Sequence, residues 1–93
     1  MWVLNMTDYA NMDARRKMLR LRSWRRGMKE MDLIMGTFAD RHIAELDDQE
    51  LEDFAVLSDQ ADQKLYSWIS GAEPVPDEFD TPVFAKMKNT RPR

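Results

Sequence analysis

The chain has 93 residues with no Cys, one His and a formal net charge of −3. That length holds a single hydrophobic core, and a 43% hydrophobic fraction with three Trp, four Phe and two Tyr excludes a disordered chain. The absence of Cys removes disulfide frameworks, Cys-ligated zinc, iron–sulfur clusters and thiol nucleophiles, while the longest apolar runs, such as Phe54 to Leu57, fall far short of the roughly 20 residues that cross a bilayer.

In chain order, Met1-Trp2-Val3-Leu4 is too short for a secretory apolar region and has no basic stretch before it. Residues 1–12 are therefore expected to form a flexible tail on a cytosolic protein. Ala14, Met18, Leu21 and Met28, with Leu19 and Trp24 alongside, recur near helical period, and no β-branched residue interrupts Asp13 to Arg26. This predicts a first helix that ends at Gly27 in a left-handed conformation. A second helix is expected from about Met28, with Met31, Ile34, Met35, Phe38, His42, Ile43 and Leu46 on its inner face and Gly36 marking a kink or an early end.

Asp47, three residues before Glu50, has the spacing of a capping box, so a third helix should carry Leu51, Phe54, Ala55 and Leu57 inward and stop near Asp59. A fourth runs from about Asp62 to Gly71 with Trp68 as core anchor. Glu73-Pro74-Val75-Pro76 reads as an extended linker, and Asp80-Thr81-Pro82 opens a short fifth helix through Lys88, held by Val83, Phe84 and Met87. Residues 89–93 should fray. No segment alternates at period two, so the expected fold is an all-α, compact five-helix bundle: one domain over 13–88 with short connections and antiparallel neighbours.

The charge is strongly segregated. Eight Lys or Arg accompany one acid between Arg15 and Glu30, whereas eight Asp or Glu stand without any Lys or Arg between Glu45 and Asp62. Either the two segments pack together or one of them faces a partner of opposite charge.

Common catalytic arrangements are missing. His42 lies on the apolar stripe of the second helix, where a satisfied imidazole is the simpler reading than a general base or a ligand. Four scattered Ser have no base beside them, the acidic run from Asp47 to Asp53 lacks the Gly and the spacing of a calcium loop, and neither GxGxxG nor GxxxxGK[ST] is present. Neither a catalytic residue, a metal site nor a cofactor-binding residue is expected. What remains is Arg26-Gly27-Met28-Lys29-Glu30-Met31-Asp32, in which a side-chain-free corner is flanked by a planar donor and by a carboxylate in the first turn of a helix. By spacing alone, a C-cap glycine, a dipole-favoured Glu and a solvated arginine face explain these residues equally well or better.

The run from Arg15-Arg16-Lys17-Met18-Leu19 through Arg22-Ser23-Trp24-Arg25-Arg26-Gly27-Met28-Lys29-Glu30-Met31-Asp32 to Asp40 resembles the SdhE family, the succinate dehydrogenase assembly factor 2 group. Asp62-Gln63-Lys64-Leu65-Tyr66-Ser67-Trp68-Ile69 and Pro74-Val75-Pro76 fit its second half. The resemblance implies a non-enzymatic assembly factor. Such a factor binds the flavoprotein subunit of succinate dehydrogenase, and in bacteria that of fumarate reductase, and promotes covalent attachment of FAD to a partner histidine. It implies partner-binding roles for Arg26, Gly27 and Glu30, with Asp32 as an addition. FAD is then cargo for the partner, with none stably bound here. The expected state is a monomer in a bacterial cytoplasm, or in the mitochondrial matrix for a eukaryotic host. Glu30→Ala or Gly27→Arg should abolish flavinylation with melting almost unchanged. The alternatives are an antitoxin-like helical adaptor and, against the acidic pI of 5.1, a nucleic-acid-binding helix.

Overall fold

The computed structural model describes residues 12–90. Among these residues five α-helices follow one another: α1 (Ala14–Ser23), α2 (Lys29–His42), α3 (Asp48–Ser58), α4 (Asp62–Ser70) and α5 (Pro82–Asn89), with 3₁₀ turns at Ile43–Glu45 and Asp77–Phe79. Among the described residues there is no strand, and the helices form one packed unit.

Local chemistry sets the boundaries. Asp13 opens α1 by accepting the Arg16 backbone N–H at 2.8 Å. Asp47 and Glu50 form a reciprocal capping box at α3, with bonds of 2.8 and 2.9 Å. Thr81 accepts the Phe84 N–H at 3.2 Å, and Pro82 occupies the first turn of α5, where its missing donor costs nothing. Gly71 closes α4 at φ +86°, a conformation that Gly adopts without strain.

Two packing registers position everything else. Trp24 lies on Gly36, Arg20 reaches Asp40 and Arg16 reaches Ile43, so α1 and α2 run antiparallel. Arg15 pairs with Glu52 at 2.8 Å and Arg22 with Asp59 at 3.5 Å, a constant offset that sets α1 and α3 parallel. The basic and acidic segments therefore pack together, the first of the two uses their charge allowed. Both of these pairs are half-exposed, so they contribute register more than stability. The core beneath joins Met31, Met35 and Phe38 of α2 to Phe54 and Leu57 of α3, Leu65 and Ile69 of α4, and Val83 and Met87 of α5. Phe38 and Phe54 meet at 5.3 Å, and Trp68 stacks on Phe79 at 5.1 Å. Val83, Phe84 and Met87, the residues expected to hold α5, are all buried.

Four expectations are corrected. First, α1 ends at Ser23 rather than running to Arg26, because Trp24 leaves the helix to cover α2, and its indole Nε1 donates to Asp40 at 3.2 Å. Second, the apolar stripe of α1 faces outward: Met18 is 54% and Leu21 42% exposed, while Leu19 and Ser23 are buried and Arg16 and Arg20 lie half-buried on the inner side. Those arginines have acceptors to satisfy inside, and their aliphatic stems pack well there. Third, α2 continues through Gly36 to His42 without ending early; the glycine makes room for the Trp24 ring. Fourth, Asn89 belongs to α5, and the buried Thr90 donates its Oγ1 to the Lys86 carbonyl at 2.7 Å. The tails expected over 1–12 and 89–93 lie outside the described residues except for Met12, Asn89 and Thr90, and Met12 is part of the core.

Candidate functional site

The linker between α1 and α2 makes the corner. After Trp24 the chain leaves the helix, and at Gly27 it turns with φ +103°. This is four residues past the end of α1, so Gly27 shapes the bend and is not the terminus of that helix. A Cβ built at Gly27 meets no atom within 4 Å. The corner is open to solvent. Glu30 follows in the first turn of α2, where a carboxylate is favoured by the helix dipole. It is exposed and makes no ion pair among the described residues.

Arg26 is placed differently from the expectation. Its side chain is only 9% exposed and turns inward, away from any donor–acceptor pairing with Glu30. Nε donates to Asp62 Oδ1 at 2.7 Å, one terminal nitrogen donates to the Ser58 carbonyl, and the other donates to the Gln60 carbonyl at 2.5 Å. Ser58 is the last residue of α3 and Gln60 lies just past it, where helical partners run out, so the guanidinium fork satisfies acceptors that would otherwise need water. The backbone N–H of Arg26 donates to Asp32 Oδ1 at 2.5 Å. Asp32 is half-buried and closes the loop from below. Of the four residues singled out in the sequence, Gly27 and Glu30 thus present the surface, while Arg26 and Asp32 hold it.

Arg16 plays the same part at the other end of α1. It donates to the carbonyls of Ile43, at 3.0 Å, and Leu46, while pairing with Asp13 at 2.6 Å. The bond from the Arg16 N–H, together with this guanidinium and the nearby charge of Arg15, keeps the Asp13 carboxyl below its ordinary value. His42 sits at the far end of α2, about 18 Å from Glu30 along the helix axis. It lies 5.0 Å from the Phe38 ring with its Nδ1 2.9 Å from Glu45. Imidazole and corner are therefore not brought together.

Sequence reasoning missed Asp62, Trp24 with Gly36, and Asp40. Asp62 read only as a helix start. Its neighbour Ala61 occupies the N-cap without a side-chain bond, leaving the Asp62 carboxylate to serve Arg26. Asp40 is buried and receives both Arg20, at 2.7 Å, and the Trp24 indole. Its spacing of four from Gly36 was the available signal, since it places both on one helix face.

A family model described as "Flavinator of succinate dehydrogenase" matches residues 17–91, a span that includes the whole corner and Asp62. The chain belongs to this family. Among its relatives, the mitochondrial succinate dehydrogenase assembly factor 2 of Dictyostelium discoideum is 37% identical over 82 residues, covering 88% of this chain and 58% of the relative. The FAD assembly factor SdhE of Acetobacter pasteurianus is 32% identical over 77 residues, covering 83% and 71%. A mitochondrial assembly factor 2 of Drosophila grimshawi is 30% identical over 76 residues, covering 80% and 52%. The chain thus spans just over half the length of these two mitochondrial relatives. No helix among the described residues is long and apolar enough to cross a membrane.

Proposed function

We propose that this flavinator-family chain is an assembly factor that binds the flavoprotein subunit of succinate dehydrogenase, and the related subunit of fumarate reductase, and promotes covalent attachment of FAD to a histidine of that partner. The observation that carries the reading is the corner itself: a backbone bend at φ +103° with open space over it, followed by an unpaired, exposed Glu30. A surface without a side chain lets another backbone approach closely, and a lone carboxylate beside it supplies a charged acceptor. The chain contributes no reacting atom. It acts as a monomer, raising the population of an immature flavoprotein in which flavin and histidine are aligned, and alignment alone contributes several kcal/mol to such a step. Its compartment is that of its partner, a bacterial cytoplasm or a mitochondrial matrix.

The test is in-gel flavin fluorescence of the dehydrogenase flavoprotein expressed with and without this chain. Covalent flavin rises with the wild-type chain and stays at background with Glu30→Ala. Equal fluorescence with and without the wild-type chain would refute the function, and full fluorescence with Glu30→Ala would refute the surface.

A further inference from the structure

The Gly27–Glu30 corner is a loop, and a loop presents a reproducible surface only if something rigid holds it. Its two ends are tied at Arg26, by the backbone N–H to Asp32 in α2 and by the guanidinium to the junction of α3 and α4. Of the guanidinium's partners, Ser58 contributes the last carbonyl of α3 and Gln60 a carbonyl of the turn that follows it. Asp62 contributes the only carboxylate among them. It is 16% exposed and sits at the first position of α4, whose N-cap residue Ala61 makes no side-chain bond. Its charge is directed to Arg26 rather than to capping its own helix, so it couples the pitch of the corner to the seating of α4.

We infer that Asp62 is a positioning residue for docking of the flavoprotein: acting through Arg26, it sets the angle at which the Gly27–Glu30 corner meets that partner. This rests on the function proposed above and identifies what holds its surface. Asp62→Asn keeps an oxygen that can accept from Nε but removes the charge, so the guanidinium retains the Ser58 and Gln60 carbonyls while losing its directional anchor. The corner then samples several orientations, and only the fraction already correct binds without further cost.

The experiment measures the dissociation constant of the flavoprotein subunit lacking covalent flavin for the intact wild-type chain, Asp62→Asn, Asp62→Glu, Glu30→Ala and the Glu30→Ala/Asp62→Asn double variant. Each is measured well below its own melting midpoint, so that all are folded. Asp62→Asn should bind roughly tenfold more weakly, a change the size of one lost charge-assisted contact. Asp62→Glu, which restores the charge, should recover part of that loss. The double variant should bind no more weakly than Glu30→Ala alone, because a misdirected corner has nothing further to lose once its carboxylate is gone. Thr81→Ala, which removes the α5 cap and lies outside the clamp, should bind as wild type.

Wild-type affinity for Asp62→Asn overturns the inference, as does additive loss in the double variant, which would make Asp62 a direct contact. Equal weakening by Thr81→Ala would mark the effect as general instability and overturn it too. If Asp62→Asn does not fold, Arg26→Lys replaces it: a single ammonium cannot span the same acceptors, and an unchanged affinity there is equally fatal. Failure of the wild-type chain to bind at all refutes the function itself, which separates that result from the others.

Discussion

Gly36→Ala is the sharpest test of how the corner is mounted. In an ordinary helix this change stabilises by about 1 kcal/mol, because Gly loses more backbone freedom than Ala on folding. Here the added Cβ lies 2.2, 2.4 and 2.5 Å from three ring carbons of Trp24. Carbon atoms pack at about 3.5–4.0 Å, so the indole must retreat by more than 1 Å. Two of those atoms are the shared edge of the two rings, so no flexible tip can move aside. The ring is also tied to the buried Asp40 through Nε1, at 3.2 Å, and retreat breaks that bond. Overpacking of this kind costs about 1–3 kcal/mol, and loss of a bond to a buried carboxylate adds about 1.5–3 kcal/mol. Against the propensity gain, the net destabilisation is about 1.5–5 kcal/mol. At roughly 4–8 °C per kcal/mol for a domain of this size, the melting midpoint should fall by about 6–40 °C. Thermal unfolding by circular dichroism reads the midpoint, and indole fluorescence reports exposure of Trp24. Adding Trp24→Leu to Gly36→Ala should recover stability relative to the sum of the single changes. A midpoint at or above wild type for Gly36→Ala would mean that the ring does not rest on that glycine, and the account of why α1 stops at Ser23 would go with it.

The remaining predictions concern the corner, the core and pH. Glu30→Ala should shift stability by less than about 1 kcal/mol, since only an exposed dipole interaction is lost, yet eliminate covalent flavin in the partner; a large drop in midpoint would show that Glu30 supports the fold instead. Gly27→Arg should eliminate covalent flavin as well, but melting will not stay unchanged as sequence reasoning supposed. Its φ of +103° costs a side-chain-bearing residue about 1–2 kcal/mol, even though the space around it is open, and an unaltered midpoint would contradict that conformation. Trp68→Ala empties the stack on Phe79 and should cost about 3–5 kcal/mol by chemical denaturation, with function lost through unfolding; a cost below about 1 kcal/mol would place Trp68 outside the core. Because the Asp13 carboxyl is held below its ordinary 3.8, the cap it forms on α1 is fully present above that value and is lost as pH falls through the lowered folded value. A carboxyl NMR titration of Asp13 with a midpoint at or above 3.8 would remove the bond from Arg16 as a cause.

The beginnings of α3 and α5 and the end of α4 were legible in the chain because caps are short-range devices. Asp47 with Glu50, Gly71, and Thr81 before Pro82 act on backbone groups within a few residues, and the inner faces of α2 and α3 followed from period alone. The corner was legible as residue types: a glycine between basic residues with a carboxylate three positions on. Direction was not. Met18 and Leu21 belong to the most apolar stripe of α1, yet point outward, because Arg16, Arg20 and Arg26 have carbonyls and carboxylates to reach that lie 20 to 36 positions away. Periodicity ranks side chains by hydrophobicity and carries no record of distant acceptors, so it gave the inward face to the wrong residues. For the same reason Gly36 read as a weakness in α2, Asp62 as a helix start and Arg26 as a surface donor. Local sequence determined the elements and the chemistry of the bend. The packing of α1 against α2 and α3, and of the linker after it against the start of α4, decided which arginines became internal clamps, because only there do orphaned carbonyls and buried carboxylates come within reach of a guanidinium.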